Sequence, residues 1–234
     1  MKIDAFKLLH DMEDSWWYKG RMILVDKLLR RLKKVNNKIL DFGSGYGGMY
    51  DTLAKYGKVY AFEIDKGGLI SCKERGYEKI YSSADDVYNL KSDLDLVVMC
   101  DVLEHIEDDD GTLRSINNIL RDKGYLLMTI PAYKWLWSIH DDEHKHYRRY
   151  TRGQINSLLN KNGFEVDYSS YWNLFLFVPA LIVRLFGFSG SSSLKQPKIV
   201  NSIFLFFIYI ERMIMPNLTL PFGTGIIVLA RKVK

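Results

Sequence analysis

The residues of this chain best suited to chemistry fall into three groups. The first is a glycine turn, Gly43-Ser44-Gly45-Tyr46-Gly47-Gly48, which follows the apolar run Ile39–Phe42 and carries Asp41 two positions ahead of its first glycine. Glycines at such a turn let the backbone approach a ligand closely, and a helix starting there offers free N–H donors. The second is Glu63, near the end of the run Val59–Asp65 and 22 positions after Asp41. A carboxylate about 20 residues beyond a glycine turn is placed to accept hydrogen bonds from ribose hydroxyls. Together these groups predict a nucleoside-containing cofactor. The third is the segment from Trp137 to Thr151, with His140, Asp141, His144, His146, Arg148 and Arg149. An imidazole with an unperturbed pKa of about 6.5 can remove a proton from an oxygen nucleophile. His140 is the expected general base, with Asp141 beside it. The alternative is that the pair only fixes a substrate loop. His140, His144 and His146 also permit a metal reading, because positions four apart share a helix face; the preferred reading needs no metal. Trp137, His146, Arg148 and Arg149 are expected to meet an acceptor, the arginines facing phosphate or carboxylate. The competing reading of the arginines is a solvated charged surface.

These groups need a scaffold, and the pattern supplies one. From Lys38 to about Trp172, short apolar or β-branched runs alternate with helical stretches. Strands are expected at 38–42, 58–64, 79–82, 94–100, 125–130 and 164–171, with a last one at 225–233. Alternation of this kind predicts a parallel sheet with helices on both faces. One helix is marked by Leu113, Ile116, Ile119 and Leu120, with Gly124 as its stop. Another begins with the capping box Thr151–Gln154 and ends at Gly163. Residues 1–37 read as one or two amphipathic helices, with Ile23, Leu24, Leu28 and Leu32 facing inward and Lys27, Arg30, Arg31, Lys33 and Lys34 facing mostly out. Residues 173–222 interrupt the pattern with two apolar helices around the linker Gly187–Ser193.

Composition narrows the class. The 234 residues include 47% apolar and 26% charged types, which is ordinary globular usage. Cys72 and Cys100 form no disulfide framework or Cys-x-x-Cys pair, so a reducing cytoplasm is the default. The net charge of +5 is concentrated: residues 1–38 hold ten Lys/Arg against five Asp/Glu. The longest apolar runs, Leu174–Val183 and Ile203–Ile210, fall short of the roughly 20 residues that span a bilayer. Read functionally, they form an interfacial surface or a greasy channel for a lipid-linked acceptor, with Arg184, Arg212 and the basic N-terminal helix toward lipid phosphates at the inner membrane face. A helical cap over the sheet and a homodimer interface are the other readings.

The segments LDFGSGYGG, AFEID and DLVVMCDVLEHIED resemble class I S-adenosylmethionine-dependent methyltransferases, especially the small-molecule type 11 and type 12 members. WSIHDDEHKHYRRYT, WWYKGR near the start and the tail PFGT…ARK resemble one bacterial and archaeal subgroup. The class-level likeness covers about residues 38–172, and the subgroup likeness reaches outside that core at both ends. It implies a Rossmann-like sheet of seven mostly parallel strands with an antiparallel last strand, an N-terminal helical lid over 1–37, and a methyltransferase domain over 38–234 with the apolar insert at 173–222. It implies that Asp41, Gly43 and Gly45 shape the methionine pocket and Glu63 binds the ribose. Ala84 and Asp85 would lie near the adenine, though Ser-Ser replaces the usual Gly-Asp there. Asp101 and Val102 would flank the cofactor, and Trp17, Tyr18 and Arg21 would close the pocket, with Arg21 available to a carboxylate. His105 reads as a loop cap or a cofactor contact, and Glu107–Asp110 as a solvated helix start. The implied reaction is methyl transfer; taken with the apolar insert, the expected acceptor is a small or lipid-linked molecule methylated at oxygen, with carbon methylation as the open alternative and no nucleic acid expected. A non-catalytic cofactor-binding module and an NAD-dependent oxidoreductase are the alternatives.

Overall fold

The computed structural model describes residues 15–32, 37–185, 198–215 and 217–233. In chain order these form α1 (Trp16–Leu29), β1 (Asn37–Phe42), α2 (Tyr50–Leu53), β2 (Gly57–Phe62), α3 (Lys66–Arg75), β3 (Ile80–Tyr81), α4 (Ala84–Tyr88), β4 (Leu94–Cys100), α5 (Asp109–Ile119), β5 (Leu120–Pro131), α6 (Ile139–Glu143), α7 (Arg152–Lys161), β6 (Phe164–Trp172), α8 (Leu174–Leu185), α9 (Lys198–Ile214) and β7 (Gly225–Lys232). Single 3-10 turns lie at Leu103–His105 and Lys134–Leu136. Some positions singled out in the sequence lie outside these bounds: Lys33, Lys34 and the linker Gly187–Ser193 are outside the described residues, as is the side chain of Arg184.

The seven strands form one sheet of order β3-β2-β1-β4-β5-β7-β6. All neighbours pair in parallel except β7, which runs antiparallel to both β5 and β6. This is the expected architecture. The central strands are apolar on both faces because helices cover both, and Leu96–Met99 are buried throughout. Strand order reverses between β1 and β4, which opens a crevice beyond their carboxyl ends.

Local chemistry sets the boundaries. The capping box of Thr151 and Gln154 opens α7 as expected. The helix of Leu113, Ile116 and Ile119 ends before Gly124, however. Leu120 is already extended and pairs with Leu94, and its carbonyl accepts from Ser92 Oγ and Lys232 Nζ. Residues 121–124 are therefore an irregularity within β5 rather than a helix terminus. Strand β2 stops at Phe62, short of the expected Ile64. The Glu63 carboxylate takes the backbone N–H groups of Ile64 and Asp65 and turns the chain off the sheet. Strand β3 is shorter than expected, covering only Ile80 and Tyr81.

Helix α1 lies between the sheet and α9. Leu24, Val25, Leu28 and Leu29 are buried. On its other side the backbone meets α9 at Gly20, where a Cβ would stand 2.3 Å from Ile208 Cδ1. Trp16 N donates to Asn201 Oδ1 at 2.5 Å, and the Lys27 ammonium donates to the Arg212 carbonyl. Lys27 is thus half-buried against α9, whereas Arg30 and Arg31 face solvent.

Helix α9 is tied to the sheet by Glu211, which is only 1% exposed. Its carboxylate accepts from the N–H groups of Asn173 (2.7 Å) and Phe175 (3.5 Å) where β6 turns into α8. Burial raises the Glu211 pKa, and these backbone donors partly offset that rise. Replacing Glu211 with Ala strands buried N–H groups, each costing about 1–3 kcal/mol. Urea unfolding of Glu211→Ala is expected to show a loss of about 2 kcal/mol or more.

Candidate active site

The glycine turn lies at the carboxyl end of β1. Gly43 and Gly45 have φ values of 74° and 55°, left-handed conformations that side chains resist. The backbone N–H groups of Gly43 and Ser44 donate to the Phe62 carbonyl, which fastens the turn to β2. Glu63 holds it from the other side: Gly45 N donates to Glu63 Oε2 at 2.6 Å, and Ile64 and Asp65 N–H donate to Oε1 at 2.7 Å each. A carboxylate has about four acceptor directions, so one remains for a ligand hydroxyl. A Cβ on Gly43 would stand 2.5 Å from Val102 Cγ2, which shows how closely the β1 and β4 ends approach. A Cβ on Gly45 would meet nothing within 4 Å, so the turn opens onto free space.

Charged groups converge on this opening. Asp41 is buried and accepts from the Tyr77 hydroxyl at 2.7 Å. Burial pushes its pKa up to about 6, against the Tyr77 hydrogen bond and the nearby Arg21. Arg21 Nη1 pairs with Asp101 Oδ2 at 2.6 Å, and Thr129 Oγ1 donates to Asp101 Oδ1 at 3.0 Å. Burial works against the Arg21 charge, but the Asp101 carboxylate outweighs it and raises the pKa. Arg21 Nε is buried and has no hydrogen-bond partner among the described residues. Tyr18 stacks against the Arg21 guanidinium at 4.7 Å and packs over Gly48, so α1 does cover the turn. Ala84 and the exposed Asp85 open α4 just beyond β3.

The segment after β5 is built around Asp141, which is completely buried. It accepts from Ser138 N and Oγ, from Arg149 Nε at 2.7 Å and Nη2 at 3.0 Å, and pairs with His146 Nδ1 at 2.8 Å. Burial alone would raise its pKa; the His146 and Arg149 hydrogen bonds hold it well below the ordinary carboxylate range. The structure therefore departs from the expected roles in two ways. Asp141, expected beside the base, is saturated inside the protein and positions the loop. Arg149, expected to meet an anion, is held by Asp141 and the Ala132 carbonyl. Arg148 is likewise engaged, by Asp109 at 2.7 Å and the Glu107 carbonyl. Trp137 Nε1 donates to Asp142 at 2.9 Å. His140 is half-buried with its ring 4.0 Å from that of His144; burial and His144 lower its pKa.

Two residues gain importance: Glu104, assigned no role from the sequence, and His105, read as a loop cap or a cofactor contact. Glu104, in the turn after β4, is 1% exposed, and neither carboxylate oxygen has a hydrogen-bond partner among the described residues. Burial, with Asp101 nearby, raises its pKa well above the ordinary value. His105 stands with its ring 4.5 Å from that of His146. The Leu103-Glu104-His105 stretch, two residues past a strand whose last five residues are apolar, was the available signal.

One antiparallel strand inserted between β5 and β6 distinguishes this sheet from all-parallel dinucleotide-binding sheets. The fold is that of class I methyltransferases, enzymes that use S-adenosylmethionine. The chain belongs to the methyltransferase-domain family, whose model matches residues 16–169. A search of curated proteins finds no match. Among solved structures, a methyltransferase in complex with the Haloferax volcanii Trm112 methyltransferase activator is 13% identical, with a TM-score of 0.64 over 100% of this chain and 96% of that one. Haemonchus contortus phosphoethanolamine N-methyltransferase 2, in complex with S-adenosyl-L-methionine, is 18% identical with a TM-score of 0.58 over 93% of this chain and 53% of that one. A S-adenosylmethionine-dependent methyltransferase from Archaeoglobus fulgidus is 14% identical, with a TM-score of 0.56 over 90% and 94%.

Removing one member of a buried ion pair typically costs about 3–5 kcal/mol, because the partner charge remains buried. Asp141→Ala is expected to lose stability on that scale in urea unfolding. Tyr147→Ala, at an exposed position nearby, is expected to change it little.

Proposed function

We propose that this methyltransferase modifies an oxygen of a lipid-linked small-molecule acceptor at an anionic membrane surface. The observation that carries this reading is a stripe along α9. Ile199, Ile203, Phe206, Tyr209 and Met213 recur at helical spacing, and each is between 48% and 78% exposed. An exposed apolar stripe of this kind marks an interaction surface. Basic groups adjoin it: a groove of about 300 Å³ between α1 and α9 is lined by Lys19, Lys55 and Arg212 together with Tyr209. Among the described residues no helix is long and apolar enough to cross a membrane, so the contact is peripheral.

An aromatic wall supports a route inward. Phe177 on α8 meets Trp135 at 5.7 Å and Tyr133 at 5.8 Å, and Tyr133 stacks on Tyr171 at 5.0 Å. This wall ends at the loop of His140. His140, kept neutral by its lowered pKa, is the proposed proton acceptor, with Asp141 as the positioning residue. Trp137 and His146 line the acceptor side of the same loop in this reading.

The residues around the glycine turn fit the methyl donor. S-adenosylmethionine supplies an electrophilic methyl group on a sulfonium. In this reading Asp41 takes the amino-acid ammonium and the unpartnered Nε of Arg21 its carboxylate. Glu63 takes a ribose hydroxyl through its remaining acceptor direction, and Ala84 and Asp85 face the adenine. Val102, packed on Gly43, and Asp101, held by Arg21, complete the wall. Alignment of donor and acceptor in line is the chain's main contribution to the rate.

Two measurements test these assignments. The groups facing Asp41 are Tyr77, Arg21 and Glu63. Its carboxylate is ionised above about pH 6 and neutral below, so affinity for S-adenosylmethionine is expected to hold from pH 8 to 6.5. It should then weaken toward tenfold per pH unit below 6. Calorimetry showing a flat profile, or the same profile in Asp41→Asn, would overturn the assignment. For the surface, the protein is expected to float with vesicles containing phosphatidylglycerol, and Phe206→Ser/Met213→Ser to remain in solution. Wild-type protein that stays soluble as a homodimer would refute the membrane reading.

A further inference from the structure

Beyond the β4 end, Glu104, His105 and His146 bring one carboxylate oxygen and two imidazole nitrogens within 4.8 Å of one another. We infer that these three side chains form a binding site for a divalent first-row transition metal such as Zn²⁺. The site differs from the His140, His144 and His146 set that sequence spacing suggested, and it draws on two separate segments.

Four observations support this inference. First, the charges nearby leave Glu104 without a counterion. Asp101 is paired with Arg21, and Asp141 with Arg149. Glu104 is 1% exposed and neither oxygen has a hydrogen-bond partner among the described residues. A buried carboxylate in that state requires a cation or a proton. Second, one imidazole is already oriented. His146 Nδ1 is held by Asp141 at 2.8 Å, which leaves Nε2 for a ligand. The His105 ring stands edge-on to that of His146, 4.5 Å away, so the two imidazoles face the same space. Metal-binding histidines commonly have one nitrogen fixed in this way by a carboxylate or backbone group.

Third, the donor set discriminates among metals. Two imidazoles and one carboxylate suit Zn²⁺ or Fe²⁺ and are poorly matched to Mg²⁺, which prefers oxygen ligands. Bond lengths near 2.1 Å require the side chains to close by roughly 1 Å, a rotamer-scale adjustment. Fourth, there is an entry path, because His105 is exposed while Glu104 is buried. Three protein ligands leave positions on the ion for other donors. Glu104 follows Asp101 by three residues, so those positions open beside the cofactor crevice. An oxygen ligand of the acceptor fits there chemically; this last step rests on the proposed oxygen acceptor, whereas metal binding does not.

The test is binding of Zn²⁺ alone to the full chain, by calorimetry and by metal content after gel filtration, with thermal unfolding as a separate readout. Wild type is expected to bind one Zn²⁺ and to gain thermal stability with it. Mg²⁺ at the same concentration is expected to do neither. Glu104→Gln, nearly equal in shape, and His146→Ala should each weaken Zn²⁺ binding at least tenfold. His140→Ala/His144→Ala should retain it, and Co²⁺ in wild type should give the visible absorption of a site with nitrogen ligands. If Glu104→Gln binds Zn²⁺ as tightly as wild type, or His140→Ala/His144→Ala abolishes binding, the site is wrong. If folded wild type binds no Zn²⁺, Glu104 is simply a protonated buried acid and the inference fails, with the methyltransferase reading untouched.

Discussion

A carboxylate removed from water must be neutralised where it stands, and Asp141 shows how much structure follows from that requirement. Its oxygens collect Ser138, His146 and Arg149 into one buried cluster. The cluster draws the whole segment after β5 against the sheet and turns His146 toward the end of β4. Arg149 extends the same network to the Ala132 carbonyl at the base of the segment. An arginine fork matches a carboxylate in geometry as well as charge, so the cluster sets orientation and not merely proximity. The segment after β5 is therefore held in place by electrostatics more than by regular secondary structure; α6 contributes only a single short helical piece.

The region around the glycine turn obeys the same rule with different partners. Glu63 is balanced by backbone N–H groups, Asp101 by Arg21, and Asp41 in part by the Tyr77 phenol and the nearby Arg21. These three acids stand at the ends of neighbouring strands because β1, β2 and β4 are adjacent and parallel. Parallel pairing aligns their carboxyl ends, so one acid per strand suffices to make a charged rim around the glycine turn. Helix α1 then adds the cation that the strands lack.

The sheet was legible in the sequence because buried parallel strands leave continuous apolar runs, as at Leu96–Cys100, and the antiparallel β7 followed from resemblance rather than from periodicity. The glycine turn, Asp41 and Glu63 were legible because their spacing follows from the β–turn–α geometry. The roles of Arg148, Arg149 and Asp141 were not. A row of charged residues reads as surface or ligand site, and nothing in its local pattern says that Arg149 will find Asp141 inside. Glu104 was hidden for the converse reason: an acid after a strand looks ordinary until neither of its buried oxygens finds a hydrogen-bond partner among the described residues. Leu120 misled because it continues a helical apolar face, while the pairing that claims it depends on Leu94, far back in the chain.

The placement of β7 has a consequence for how the molecule comes to exist. Strand β6 joins the sheet only through β7, and the two are separated by both apolar helices. During synthesis β6 must wait, unpaired, until the insert and β7 have emerged. Long-range strand pairing is slow, and unpaired edges beside apolar surface favour aggregation. The window between translation of α8 and the docking of β7 is therefore the most vulnerable stage of biogenesis. A chaperone or an early-bound surface that shields α8 and α9 would act on yield of folded enzyme rather than on its turnover.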